Sequence, residues 1–140
     1  MFGPHLTLDM YNCDEDKISD KNFIFDLLDE LPEKIGMHKI SKPQLIFYPG
    51  KESSFDKGGI SGFILIAESH ISIHTFIEQK FASIDIFSCK SFDVEKAVKI
   101  VMDKLGAEKV EKHFIMRGRE FPRDVDKVKT IMIKEREKRR

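Results

Sequence analysis

The sequence predicts an α+β fold in which helices cover one face of a mainly antiparallel β-sheet. Several segments alternate apolar and polar residues with the period of two that is typical of strands. Two other segments repeat apolar residues with the spacing of an amphipathic helix. The elements follow one another in the order β-α-β-β-β-β-α-β, and this order favours a two-layer protomer.

The first elements are a strand and a helix. Residues 5–12 alternate between apolar and polar side chains and predict a strand, which a polar cluster ends. Asp20 is the predicted N-cap of a helix over residues 22–36, where apolar residues recur at helical spacing. Pro32 should kink or end this helix.

Four strands are predicted next. Residues 44–48 form a short strand between two prolines, and residues 50–59 form a loop rich in Gly, Ser and Lys. The apolar run 60–67 predicts a strand that is buried on both faces. Strands over 70–76 and 81–89 then form a hairpin.

The C-terminal part contains the clearest helix and a last strand. Residues 91–106 carry a regular apolar stripe, with Asp93 near the N-cap and Gly106 as the stop signal. Residues 109–116 predict the last strand. The charged tail from Asp124 suits a solvated helix.

The hairpin turn fixes which residues of its two strands lie together. If residues 77–80 form the turn, paired residues have numbers that sum to about 157. Ser69 then lies beside Ser88 and Cys89, whereas Ser69 and His74 are roughly 16 Å apart along an extended strand. Any direct action of His74 on Ser69 therefore requires a sharp bend or a second subunit.

The face of the sheet that the helices leave open predicts self-association. Inner strands with apolar residues on both sides cannot leave a whole face in water, so we expect a dimer that packs sheet against sheet. The assembly would be a four-layer α/β/β/α sandwich, with the hairpin near or in the interface.

Length and charge limit the classes of function. The chain has 140 residues, enough for one domain, and 24 basic residues balance 24 acidic ones. This balance provides no basic field for a nucleic-acid partner. No apolar stretch approaches the ~20 residues of a membrane span and no signal peptide is evident, so we expect a cytoplasmic protein without membrane association.

The two cysteines differ in their setting. They do not make a disulfide framework, and a structural bridge is not expected in a reducing cytosol. Cys13 is interpreted as a small buried residue. Cys89 instead ends the run from Glu68, in which most of the reactive side chains are concentrated.

Two common kinds of site do not fit this run. His70 and His74 would share a metal on a helix, but on a strand they are roughly 13 Å apart, so no metal is expected. A hydrolase triad of Ser69, His74 and Asp85 is equally strained, and no G-x-S-x-G elbow surrounds the serine.

Several motifs resemble those of the prokaryotic S-adenosylmethionine decarboxylase proenzymes, which depend on a pyruvoyl group and act in spermidine synthesis. The motifs are GPHLTLDMYNCD, FDKGGISGF, ESHISIHTF and FASIDIFSC, and with the following helix they cover roughly residues 3–105. The combined spacing of Ser, His, Glu and Cys makes the resemblance specific. It implies a single domain of this type over residues 1–140.

The resemblance implies that the chain cuts itself. Cleavage between Glu68 and Ser69 would leave a β chain of residues 1–68 and an α chain of residues 69–140. Ser69 is the residue converted to the pyruvoyl group, which forms a Schiff base with the substrate amine. A pyruvoyl ketone supplies the electron sink that decarboxylation of an amino acid needs.

The same resemblance implies roles for five further side chains. His74 matches the proton acceptor in processing, and Ser61 matches a serine that assists it. Cys89 matches the proton donor in decarboxylation, a role that a thiol can fill as a general acid. Phe55 is expected to stack on adenine and Glu78 to hold the ribose hydroxyls, both from the opposite subunit. A homodimer of processed protomers, with two α and two β chains, would then share two active sites.

Two other functions stay open. One is a pyruvoyl-dependent arginine or ornithine decarboxylase, because departures from the family pattern lie near the expected pocket. Phe76 and Ile77 stand where relatives have Trp-Pro, and Lys90 stands where Gly usually follows the cysteine. The other is an unprocessed, non-catalytic homologue that serves as a binding or regulatory subunit.

Overall fold

The structure, a computed structural model, describes residues 2–122. The strands are β1 Gly3–Tyr11, β2 His38–Lys39, β3 Gln44–Tyr48, β4 Gly59–Ala67, β5 Ser69–Phe76, β6 Phe81–Ser88 and β7 Lys109–Arg117. The helices are α1 Glu15–Ile18, α2 Lys21–Lys34 and α3 Val94–Leu105. The tail helix predicted from Asp124 lies outside the described residues.

The described strands form one antiparallel sheet. Its order is β2-β4-β5-β6-β1-β7, and β3 pairs with β4 on the same edge as β2. The predicted α+β class with a mainly antiparallel sheet is confirmed.

The two longer helices begin and end where their capping residues predict. The Asp20 side chain accepts hydrogen bonds from the Asn22 and Phe23 N–H groups in the first turn of α2, and the Asp93 side chain accepts one from the Lys96 N–H of α3. Gly106 ends α3 in the left-handed conformation at φ 64°, which favours glycine. Pro32 lies within α2, which continues only to Lys34.

The core lies between these helices and one face of the sheet. Strands contribute alternate residues to it, and the helices contribute their apolar stripes. The largest fully buried side chains include Leu6, Leu8, Met10, Ile24, Leu28, Leu31, Ile60, Ile64 and Ile71.

Three details differ from the sequence-based expectation. The strand predicted over 60–67 is not buried on both faces, since Phe63 and Leu65 are 40% and 42% exposed. The physical reason is that no second layer covers that side of β4 within the described chain. The polar cluster expected only to end β1 forms α1 behind an Asp14 cap, and the short β2 was not predicted.

The hairpin forms with the predicted register. The β5–β6 pairs extend from Phe76 and Phe81 beside the turn to Ser69 and Ser88 at the open end. The ladder sends alternate residues of β5 to opposite faces, so His70, Ser72 and His74 lie away from the core. These three polar side chains of the hairpin are therefore placed on a face that the helices do not cover.

Thr75 links the first short helix to the sheet. Its hydroxyl accepts a hydrogen bond from the Ile60 N–H and donates one to the Ile18 carbonyl, each at 2.9 Å, and the residue is only 3% exposed. Both main-chain partners are buried. One hydroxyl thus satisfies a donor on β4 and an acceptor at the end of α1.

Thr75→Val should lower the free energy of unfolding by about 2–4 kcal/mol, because it leaves a buried donor and a buried acceptor without partners. Thr75→Ser keeps the hydroxyl and should cost about 1 kcal/mol for the lost methyl group. Urea unfolding at a fixed protein concentration measures both variants. Equal stabilities would mean that the hydroxyl contributes nothing beyond the methyl group.

Candidate active site

The open end of the hairpin brings Ser69 and Cys89 together. Ser69 pairs with Ser88, and the Cys89 N–H donates a hydrogen bond of 3.1 Å to the Glu68 carbonyl. Ser69 has a φ of 128°, a conformation that residues other than glycine rarely adopt. Such strained residues concentrate at functional sites and cost about 1–3 kcal/mol. The bond between Glu68 and Ser69 therefore lies next to a strained backbone conformation.

Cys89 borders a small cavity with mostly apolar walls. The residue is partly buried, and the cavity has a volume of about 190 Å³. Its lining comes from the start of β1, the segment between β6 and α3, and β7: Phe2, Gly3, Pro4, Cys89, Ser91, Phe92, Phe114 and Met116. Small reagents can therefore approach Cys89 from this side.

Ser61 and His74 form a hydrogen-bonded pair on the open face of the sheet. They are direct partners in the β4–β5 ladder, and the Ser61 Oγ lies 2.9 Å from the His74 Nδ1. His74 is exposed to solvent. The hydroxyl orients the ring, which leaves the other ring nitrogen available for a proton transfer.

A second group of residues lies at the turn end of the hairpin. The Phe55 ring stacks on Phe76 with 6.5 Å between centroids, and the Gln79 side chain donates a hydrogen bond to the Phe55 carbonyl. A cavity of about 350 Å³ is lined by Tyr11, Phe55, Phe76, Gln79 and Phe81. Glu78, in the same turn, is exposed. The loop and the turn thus place an aromatic surface and a carboxylate in one region.

The two groups are separated within one protomer. Ser69 and His74 belong to the same strand, and five extended residues span roughly 16 Å. The structure brings Ser69 to Cys89, and it brings Ser61 to His74, but it does not bring the two pairs together.

Sequence reasoning placed Phe76 near the expected pocket but missed three other members of the aromatic cavity, Tyr11, Gln79 and Phe81. The hairpin register was a usable signal for Phe81, because it pairs with Phe76 directly beside the turn. The position of Tyr11 depends on β1 lying next to β6, which the hairpin alone does not reveal.

Cys13 has a structural environment. Its side chain is 2% exposed, and its Sγ lies 3.6 Å from the Met10 carbonyl. Burial raises the pKa of this thiol to about 11. Since the thiolate is the reactive form, Cys13 is inert near neutral pH, in agreement with its interpretation as a core residue.

Residues 2–122 contain no cluster of three or more His, Cys, Asp or Glu side chains that could hold a metal ion. No helix in this part of the chain is long and apolar enough to cross a membrane.

Comparison with known proteins identifies similar sequences. The family model described as S-adenosylmethionine decarboxylase matches residues 4–118. A protein of Clostridium botulinum strain Hall, named S-adenosylmethionine decarboxylase proenzyme, is 35% identical over 118 residues, or 84% of this chain and 95% of the relative. A protein of the same name from Geobacillus sp. strain WCH70 is 34% identical over 116 residues, or 83% of this chain and 87% of the relative.

The fold is also similar to a solved structure. The crystal structure of the adenosylmethionine decarboxylase from Aquifex aeolicus VF5 superimposes with a TM-score of 0.68 at 29% sequence identity. The alignment covers 88% of this chain and 95% of that structure.

The two thiols should differ sharply in reactivity. Under native conditions near pH 8, a small disulfide reagent should label Cys89 quickly and Cys13 only on unfolding, because only the thiolate of an accessible cysteine reacts. Peptide mapping by mass spectrometry identifies the labelled residue, with Cys13→Ser and Cys89→Ser as matched controls. Equal labelling rates would contradict the buried position of Cys13.

Proposed function

The chain belongs to the S-adenosylmethionine decarboxylase family, and from this membership we propose that it is an autoprocessing, pyruvoyl-dependent decarboxylase of S-adenosylmethionine. Its products would be CO2 and S-adenosylmethioninamine, the aminopropyl donor of spermidine biosynthesis, and its place of action the cytoplasm. The observation that carries the proposal is the meeting of the Glu68–Ser69 bond with Cys89 at the open end of the hairpin.

Processing begins with the Ser69 hydroxyl. Its oxygen attacks the Glu68 carbonyl carbon, and the peptide link becomes an ester as the Ser69 nitrogen is released. Loss of the Ser69 α-proton then expels the Glu68 carboxylate and leaves a dehydroalanine. The dehydroalanine tautomerises to an imine, and water hydrolyses the imine to the pyruvoyl ketone with release of ammonia. His74, whose Nδ1 lies 2.9 Å from the Ser61 Oγ, is the base that accepts the proton of the Ser69 hydroxyl.

The residues at this end of the hairpin fit a pyruvoyl group. Ser69 begins β5, directly after the bond to be cut, and a new N-terminus there stays fixed by its pairing with β6. The pyruvoyl ketone supplies the electron sink for decarboxylation. Cys89 then donates a proton to the substrate carbon, since its thiol is accessible from the adjoining cavity.

The turn end of the hairpin fits the adenosine part of the substrate. Its cavity of about 350 Å³ is within the usual range for small-molecule sites, and its walls are aromatic. Phe55 would stack on adenine, and the exposed Glu78 carboxylate would accept hydrogen bonds from the ribose hydroxyls. These features favour S-adenosylmethionine over arginine or ornithine, neither of which has an aromatic ring to stack.

A homodimer would join the two separated groups of residues. The uncovered sheet face exposes apolar side chains, among them Phe63 and Leu65. The same face holds the His5 Nε2, which is buried without a hydrogen-bond partner in the described chain and lies 4.0 Å from the Asp85 Oδ2. Burial lowers the pKa of His5, and Asp85 opposes this effect. Two copies packed by these faces would bring His74, Ser61, Glu78 and Phe55 of each to Ser69 and Cys89 of the other.

Intact-mass analysis tests the self-cleavage. The purified chain should consist of two fragments that separate at 68/69, with the C-terminal fragment blocked at its N-terminus, whereas Ser69→Ala should remain one chain. A stable full-length parent mass would instead indicate the non-catalytic homologue.

Hybrid dimers test the shared sites within the same prediction. Ser69→Ala and His74→Ala chains should each remain intact alone. When both are expressed together, about half of the dimers are hybrids, and about half of the His74→Ala chains should be cut, because their partner supplies the histidine. No cleavage in the mixture would place Ser69 and His74 in one subunit's site.

Glu78→Gln should raise KM for S-adenosylmethionine about tenfold, since the loss of a charged acceptor costs about 1.4 kcal/mol of binding. The value of kcat should change less, because the ribose contact is made before and during the reaction. Release of CO2 measures both parameters, with Glu52→Gln as a control for another exposed carboxylate. Faster release of CO2 from arginine or ornithine by the parent enzyme would overturn the substrate assignment.

A further inference from the structure

The main-chain N–H of Cys89 contacts the atom on which negative charge must develop during self-cleavage. The N–H donates to the Glu68 carbonyl oxygen at 3.1 Å. This contact extends the β5–β6 ladder by one residue beyond its last pair, Ser69 and Ser88. The donor thus reaches the carbonyl of the bond to be cut, and the ladder holds it there before any reaction begins.

Two neighbouring contacts fix this donor in place. The Lys90 N–H donates a hydrogen bond of 3.0 Å to the Ser88 Oγ, and Ser88 is fully buried. On the other side, β1 packs directly against this backbone at Gly3. A Cβ on Gly3 would lie 2.0 Å from the main-chain carbonyl oxygen of Ser88 and 2.8 Å from the Cys89 Cα. Only glycine therefore permits this close approach of the two backbones. The Cys89 N–H is therefore held rigidly between two segments.

The chemistry of the first processing step requires such a donor. When the Ser69 oxygen bonds to the Glu68 carbonyl carbon, the π electrons of the carbonyl move onto its oxygen, and the hydroxyl proton leaves to the base. The oxyanion collapses when the carbon–nitrogen bond breaks and the Ser69 nitrogen takes up a proton. A preorganised N–H directed at that oxygen stabilises the intermediate more than the neutral carbonyl.

We propose that the Cys89 N–H is the oxyanion donor of self-cleavage, which rests on the autoprocessing function proposed above. One residue would then serve two reactions with two different groups. Its main-chain N–H acts in processing, before the pyruvoyl group exists, and its thiol acts in each later decarboxylation. The hairpin register that orients one group also positions the other.

An ester substitution in the main chain tests the proposal. Lactic acid placed at position 89 by cell-free translation replaces only the N–H with oxygen, and the Cys89→Ala chain is its exact counterpart in side chain. Cleavage at 68/69, followed by intact mass, should be about 100-fold slower in the lactic acid chain than in Cys89→Ala. Circular dichroism and gel filtration check that both chains fold and assemble alike.

A second ester controls for general loosening of the sheet. Ala82→lactic acid makes the same replacement in the middle of β6, away from Glu68, and this chain should cleave at the parent rate. Equal slowing by the esters at positions 82 and 89 would overturn the proposal, as would equal cleavage rates of lactic acid and alanine at position 89. A parent chain that never cleaves would remove the proposed function itself, and this inference with it.

Discussion

The antiparallel register of β5 with β6 determines where the reactive groups of this protein lie. The turn at 77–80 fixes the pairing as far as Ser69 and Ser88, and one residue further the Cys89 N–H meets the Glu68 carbonyl. At the other end, the same pairing builds one wall of the aromatic cavity. Because side chains alternate between faces, a shift of the register by one residue would expose the buried isoleucines of β5 to solvent. The same shift would separate the Cys89 N–H from the Glu68 carbonyl. The burial of the core face therefore maintains the geometry of the reactive face.

This register could be predicted from the sequence because it depends only on counting residues from a turn. The long helices could be predicted because Asp20, Asp93 and Gly106 are strong capping signals. The apolar run around Phe63 predicted burial on both faces of β4, but such a run does not distinguish cover by helices, by a partner or by water. The N–H of Cys89 left no signal at all, because every residue other than proline carries the same group. What sequence patterns predict is the periodicity of side chains. The aromatic cavity and the oxyanion donor arise from the pairing of strands.

The one-sided arrangement of layers has a chemical consequence. The helices bury one face of the sheet and leave Ser61 and His74 on the other, hydrogen-bonded to each other and directed away from Ser69 along the strand. With the roles proposed above, a protomer of this kind would hold a nucleophile without its base and a substrate pocket without its proton donor. In the proposed dimer, the face that associates carries the proposed base, His74, so assembly would have to precede cleavage. A free monomer would thereby be protected from cutting itself before its partner is in place.

The position of the proposed cut is also compatible with a stable product. Glu68 is the only residue between β4 and β5, and these strands remain paired on either side of it, from Ile66 with Ser69 to Ser61 with His74. Breaking the bond after Glu68 therefore removes a connection but no ladder hydrogen bond within those pairs. Both fragments also contribute to one core, since β1, α2 and β4 precede the cut and β5, β6 and α3 follow it. Cleavage lowers stability mainly because the unfolded state gains conformational entropy when the two fragments are no longer joined. A strand end with a one-residue connection thus allows the backbone to become a reactive terminus while the fold around it stays intact.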